Sequence, residues 1–264
     1  NLKVFKVQVD TIKKHSKKQD KSVTIFEVVI NGTQRKEVLR KIALQRKRLL
    51  HVATVNPEFI MEARENPRFR QILAETGLKV VDGWGIVWAL RLAQGKQVER
   101  VTGVELVEEI LKIANKRGEK VFLLGAEPGV AEKAAGAMKK KYPRVKYAWY
   151  EGARTVKLEK SEESSMTIAK INSVEPDYLL VAYGSPWQDI WIEENKEYLR
   201  ARVAIGVGGT LDEWAGVVRP CPKWIDRLGG KWLWRVVAQP RIRMNRVWQV
   251  IKFGSLVLWQ KLID

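Results

Sequence analysis

Leu78-Lys79-Val80-Val81-Asp82-Gly83-Trp84-Gly85-Ile86-Val87-Trp88-Ala89-Leu90 places an acid at the end of a short apolar run and directly before a glycine. The run reads as a buried strand and the residues after Gly83 as a helix, so Asp82 falls on a strand-to-helix turn. Open parallel sheets keep their reactive groups at such turns. With two glycines beside it to let a ligand approach, Asp82 is a candidate general base. Asp before Gly is also an ordinary turn or helix-cap pair, so the rest of the chain has to decide.

Outward from this turn the same rhythm repeats. From Thr24 onward, strand candidates at 23–30, 49–55, 78–82, 120–125, 145–150, 177–183 and 202–207 alternate with amphipathic stretches of helix length. That alternation predicts an α/β fold, a Rossmann-like, mostly parallel sheet with helices on both faces. The expected organisation is a Lys-rich N-terminal extension (1–21), an α/β domain (22–218) and a basic, amphipathic helical C-terminal appendage (219–264).

Composition narrows the chemistry. The chain has 264 residues, one cysteine (Cys221) and two histidines (His15 and His51), so a disulfide framework or a Cys/His metal cluster is not expected. No Asp-x-Asp occurs, which removes the usual carboxylate pair for Mg²⁺ or Mn²⁺; metal-independent chemistry without a cofactor is the expectation. No run of 18 uncharged apolar residues exists and the N-terminus lacks a signal-peptide core, which predicts a cytoplasmic protein that spans no membrane.

Charge is divided unevenly. Residues 1–48 hold 14 Lys+Arg against 4 Asp+Glu, residues 49–218 hold 24 of each, and residues 219–264 hold 10 against 2. Basic ends on a neutral middle point to an anionic surface, phospholipid or nucleic acid. In 219–264, Trp224, Trp232, Trp234, Trp248 and Trp259 are interleaved with those ten cations, a pattern the lipid interface favours.

Several expected strand ends lead into loops suited to a diphosphate. Gly125-Ala-Glu-Pro128-Gly129 and Gly206-Val-Gly208-Gly209-Thr210-Leu-Asp212 each precede a helix. Neither is a Walker P-loop or a complete G-x-G-x-x-G. Gly184-Ser-Pro186-Trp187-Gln188-Asp189 would bring Gln188 to the same edge as Asp82. Thr54-Val-Asn56-Pro57-Glu58 offers Thr54 and Asn56, the latter also a good N-cap, and Arg100-Val-Thr102-Gly103 adds a cation before another helix.

In order and spacing, Ala53-Thr54-Val-Asn56-Pro-Glu, Val81-Asp82-Gly83-Trp-Gly85, Arg100-Val-Thr-Gly103, Phe122-Leu-Leu-Gly125-Ala, Gly184-Ser-Pro-Trp-Gln188 and Gly206-Val-Gly-Gly-Thr-Leu-Asp212 resemble the WecG/TagA/CpsF glycosyltransferases. The resemblance implies transfer of N-acetylmannosamine or a relative from a UDP-sugar to a polyprenyl-diphosphate-linked glycan, in teichoic acid or surface polysaccharide synthesis. It implies Asp82 as catalytic base, Thr54, Asn56, Arg100 and Gln188 as polar pocket groups, the Gly208-Gly209 loop at the diphosphate and Asp212 at the nucleoside. In the C-terminal part it implies peripheral attachment to the inner face of the membrane and arginines supplied to the site. Arg235 is the best-placed match, with Arg241 and Arg243 also at substrate. Ile242 stands where an arginine doublet is common and Gln239 where Glu is frequent, which leaves open which of Arg241, Arg243 and Arg246 reaches substrate.

Two other readings stay open on the residues alone. The same fold could use another UDP-hexose, such as glucose. A basic RNA-binding protein also suits pI 9.9 and Trp among cations, although nucleic acid is the less expected partner. A homo-oligomer is compatible with either.

Overall fold

The structure is a computed structural model, and it describes residues 22–46, 48–153, 161–222, 224–225, 230–238 and 240–263. Residues 1–21 lie outside the described residues, and so do the side chains of Arg235, Arg241, Arg243 and Arg246. The α/β expectation is met by a six-stranded, wholly parallel sheet flanked by helices. Its strands are β3 (Leu50–Val55), β4 (Leu78–Val81), β5 (Lys120–Gly125), β6 (Lys146–Tyr150), β7 (Tyr178–Ala182) and β8 (Val203–Gly206), in spatial order β4-β3-β8-β7-β5-β6. The central strands are apolar almost throughout, as strands covered on both faces must be.

One strand expectation is corrected. Residues 23–30 do not join the parallel sheet but fold back as an antiparallel hairpin, β1 (Val23–Ile25) and β2 (Val28–Ile30). Phe26 and Glu27 take φ values of 43° and 70°, the two-residue turn whose twist matches a hairpin. The chain then runs along the free edge of β4: the Gly32 amide donates to Lys79 O at 2.8 Å and Asn31 Oδ1 accepts from the Lys79 amide at 2.8 Å. This blunts an exposed edge.

Side-chain alternation sorts the helices between the two faces. On one face Val52, Leu78, Val80, Leu123, Leu180 and Ile205 pack under α1 (Arg35–Leu44), α5 (Gly103–Arg117), α6 (Val130–Lys141) and α9 (Thr210–Trp214). On the other, Ala53, Val55 and Val81 pack with the hairpin, α2 (Pro57–Glu65), α3 (Pro67–Glu75) and α4 (Trp84–Gln94). Beside them, Phe122, Leu179 and Val181 lie against α7 (Ser161–Val174) and α8 (Trp187–Asn195). The starts follow local chemistry: Asn56 and Asn66 cap helices that begin with Pro57 and Pro67, and Thr102 caps α5.

Two C-terminal helices complete the chain, α10 (Lys231–Ala238) and α11 (Pro240–Ile263). α11 packs against α2 and α4, and its Phe253 and Val257 are buried in the same cluster as Phe59, Ile86 and Leu90. The last helix therefore shares a core with the α/β unit. None of the described helices is long and apolar enough to cross a membrane.

Candidate functional site

The C-terminal ends of β4, β3, β8 and β7 lie side by side and carry or lead into Asp82, Thr54 and Asn56, Asp212, and Gln188 respectively. At a strand spacing near 4.8 Å, three intervals span about 15 Å, room for an extended ligand. After β3 the chain turns to the α2 face and after β8 to the α9 face, so a crevice opens between these neighbours. Ligands of open α/β sheets bind at such a switch point.

Asp82 follows β4 directly, half-buried, its amide donating to Val55 O at 2.8 Å. The N-cap of α4 is Gly83, with φ 90° and ψ 150°, so Asp82 is not the helix cap. That backbone conformation is open only to glycine. Gly85 is required for a different reason: a Cβ there would lie 2.6 Å from Pro57 Cγ, so the starts of α2 and α4 could not approach as they do.

Thr54 and Arg100 border the same turn. Thr54 is buried, next to the first residue of α5, Gly103, where a Cβ would be in ordinary contact with the Thr54 side chain. The Arg100 guanidinium lies 5.2 Å from the Trp84 ring centroid and 3.7 Å from Glu105 Oε1, largely shielded from solvent. Trp84 thereby joins the site as the platform that holds this cation, a role the sequence reading had not given it. Asn56 Oδ1 accepts from the Phe59 amide at 3.0 Å, which gives Asn56 the capping role as well as its place at the edge.

The β7 and β8 ends are locked together. Gln188, buried in the first turn of α8, accepts a hydrogen bond from the Gly208 amide through Oε1 at 2.9 Å. A diphosphate using that amide would have to displace Gln188, so the glycine loop is not a set of bare donors. Gly208 has φ 50°; Gly209 is the N-cap of α9, and Asp212 stands in that helix's first turn. The Gly125–Gly129 loop is separated from the Gly208–Gly209 loop by β7, and the Gly129 amide donates to Glu151 Oε1 at 3.0 Å. Arg235, Arg241 and Arg243 have described backbone only.

Behind the edge lies a polar cluster that sequence spacing did not foretell. His51, on the second residue of β3, is buried with Nδ1 2.7 Å from Glu193 Oε2 and Nε2 3.2 Å from Asp189 Oδ1. Thr76 Oγ1 lies 3.3 Å from Nδ1, Lys196 pairs with Glu193, and Lys79 Nζ donates to Thr76 O at 2.7 Å. Burial alone would depress the imidazole, but hydrogen bonds and charge from Asp189 and Glu193 more than offset it, holding His51 above its usual pKa. Burial pushes Glu193 up, and its bonds to His51 and Lys196 outweigh that and hold it below the usual carboxylate range. Asp189 is fully buried in this cluster. Among the described residues no group of three or more His, Cys, Asp or Glu could hold a metal ion.

A cavity of about 960 Å³ opens elsewhere, between the hairpin, α2, α4 and α11, lined by Phe26, Met61, Arg64, Gln94 and Trp259 among others. It reaches α4 at Ala89 and Gln94, about 8 and 15 Å along the helix from its start at Trp84.

The chain matches the model of the glycosyl transferase WecG/TagA/CpsF family over residues 23–264. Two proteins named N-acetylglucosaminyldiphosphoundecaprenol N-acetyl-β-D-mannosaminyltransferase, from Staphylococcus aureus strains MRSA252 and NCTC 8325, are each 31% identical to it over 188 residues. Those residues are 71% of this chain and 72% of each relative.

Proposed function

Because this chain belongs to the WecG/TagA/CpsF family and is a glycosyltransferase, we propose that it moves N-acetylmannosamine from a UDP-sugar to N-acetylglucosaminyl-diphosphoundecaprenol, with inversion and without a metal. The observation that carries the reading is the sheet-edge set itself: one half-buried carboxylate, Asp82, beside a shielded cation, Arg100, with Thr54, Gln188 and the glycine loop along the same crevice. The relatives' names specify a β-mannosaminyl product, which inversion of an α-linked donor would give.

In this mechanism Asp82 accepts the proton of the acceptor hydroxyl as that oxygen attacks the anomeric carbon. The bond to the UDP oxygen breaks on the opposite side. Charge grows on the departing diphosphate, and Arg100 and Gly209 are proposed to balance it beside the Gly208 amide that Gln188 already holds, with Arg235, Arg241 and Arg243 proposed to close over it from the C-terminal helices. Thr54, Asn56 and Gln188 orient the sugar, and Asp212 addresses the nucleoside. None of these tasks needs a divalent ion. Because the acceptor is membrane-held, the enzyme works at the inner face of the cell membrane, drawn there by its basic ends.

UDP release across a panel of UDP-sugars, with a short-chain lipid-diphosphate acceptor, tests the reading. UDP-N-acetylmannosamine should be the best substrate, and activity should survive excess EDTA. Loss in EDTA with recovery on adding Mg²⁺ or Mn²⁺ would sink the metal-free mechanism, and no turnover of any UDP-sugar would sink the donor assignment.

The clamp between β7 and β8 gives a second test. A Cβ on Gly206 would overlap the Gln188 amide, with Cδ at 2.6 Å, and Gln188 is too buried to swing clear. Overpacking of this kind costs about 1–3 kcal/mol. Gly206→Ala should therefore raise KM for the donor and lower the melting temperature modestly. An unchanged KM would separate the Gln188–Gly208 contact from donor binding.

A further inference from the structure

Helix α4 is apolar on both sides. Its inner positions Ile86, Ala89 and Leu90 are buried, yet Trp84, Trp88 and Leu92 stand on the outside at i, i+4 and i+8, with Trp88 62% exposed and Leu92 41% exposed. A helix with no polar face is ordinarily buried outright or set in lipid. Its neighbour α11 repeats the arrangement: Phe253 and Val257 face inward, and Trp248, Ile251 and Leu258 are more than half exposed, on one helical stripe. Both helices pack on the same buried cluster and on each other, so their outer faces look away from one core to one side.

Charge identifies the occupant. Neither helix contains an Asp or Glu, whereas α4 carries Arg91 and α11 carries Arg246, Lys252 and Lys261 besides the Arg241 and Arg243 assigned above to the diphosphate. Large aromatics on helices whose own charged residues are all Lys or Arg, with Lys252 paired to Glu65 of α2, fit the headgroup boundary of an anionic bilayer. We propose that the outer faces of α4 and α11 form one bilayer-docking surface, and that α4, beginning two residues after Asp82, fixes the candidate base at the lipid–water boundary. This assigns membrane contact to a helix of the catalytic sheet itself, and it rests on the glycosyltransferase reading above. A lipid-diphosphate acceptor could then present its sugar to Asp82 without leaving the membrane.

The test uses the full chain. Trp88→Ser/Leu92→Ser removes two outer, exposed side chains to which the proposed mechanism gives no role. Even partial loss of that much apolar burial should weaken binding to phosphatidylglycerol–phosphatidylcholine vesicles about tenfold, since a fully buried Leu or Trp counts for more. Turnover of a short-chain, water-soluble acceptor should be unchanged. In a Cys221→Ser background, Trp88→Cys carrying an environment-sensitive fluorophore should shift to the blue on vesicle addition and be quenched by brominated lipid, a measurement that does not depend on the double variant's stability. Parental vesicle binding by the double variant with an unmoved fluorophore would overturn the proposal while leaving the basic ends as the membrane anchor. A shift in oligomeric state on substitution, with vesicle binding intact, would overturn it in favour of contact between copies. If the parent chain ignores vesicles altogether, the membrane reading falls with it. If turnover of the soluble acceptor is absent in every chain, the glycosyl-transfer reading fails separately, whatever the vesicles show.

Discussion

Asp82→Asn is expected to lower turnover on the order of a hundredfold or more, the typical loss when a general base is removed, with fold and UDP binding intact. Asparagine fits the same half-buried space after β4, and the amide of residue 82 keeps its bond to Val55 O, so the turn should persist. KM for the donor should move little, because Arg100, Gln188 and the glycine loop are untouched. Steady-state kinetics with a calorimetric UDP titration would check both halves. Near-parental turnover would transfer the role to Asp212, since Asp189 is enclosed with His51.

The largest stability effect is expected at His51. His51→Asn leaves the buried Asp189 and Glu193 carboxylates without their shared cation, and breaking a buried charge pair from one side costs about 3–5 kcal/mol. For a chain of this size that corresponds to a fall in melting temperature on the order of 10 °C. The pH dependence has a definite sign. The raised His51 pKa means its contribution is complete below the unfolded value of 6.5 and is lost as pH rises through the folded value. The lowered Glu193 pKa means its contribution is present above 4.5 and is lost as pH falls through the folded value. The gap between parent and variant should thus be widest between these two pH values and narrow in alkali. A pH-independent gap in thermal melts would show that His51 acts by packing alone.

Because the cluster ties β3, α3 and α8 together, its loss should also loosen the first turn of α8, where Gln188 holds Gly208. The two residues expected to matter most therefore act differently: Asp82 on the reacting oxygen, His51 through the position of the edge.

The sequence by itself determined that the fold is α/β, and it put Asp82 on a strand-to-helix turn. Strand and helix periods are local, and burial on both faces writes a continuous apolar run into a handful of adjacent residues. It also placed Thr54, Gln188 and the Gly206–Gly209 loop at strand ends and Arg100 just before a helix, because glycine and capping residues mark where strands stop and helices start. Only the tertiary structure decided which ends are neighbours: β3 sits between β4 and β8, although β8 lies about 150 residues further along the chain, and no local pattern encodes that pairing. The same holds for His51, whose partners are 138 and 142 residues away and look like ordinary helix-surface acids until α8 is laid on the sheet. The hairpin at 23–30 reads as one strand because its turn residues, Phe26 and Glu27, carry no turn signature, and packing against α2 and α4 overrides their preference. Trp84 and Trp88 look like core residues of an apolar helix, and that they face outward follows from which side of α4 the sheet occupies, a choice made by the assembled fold.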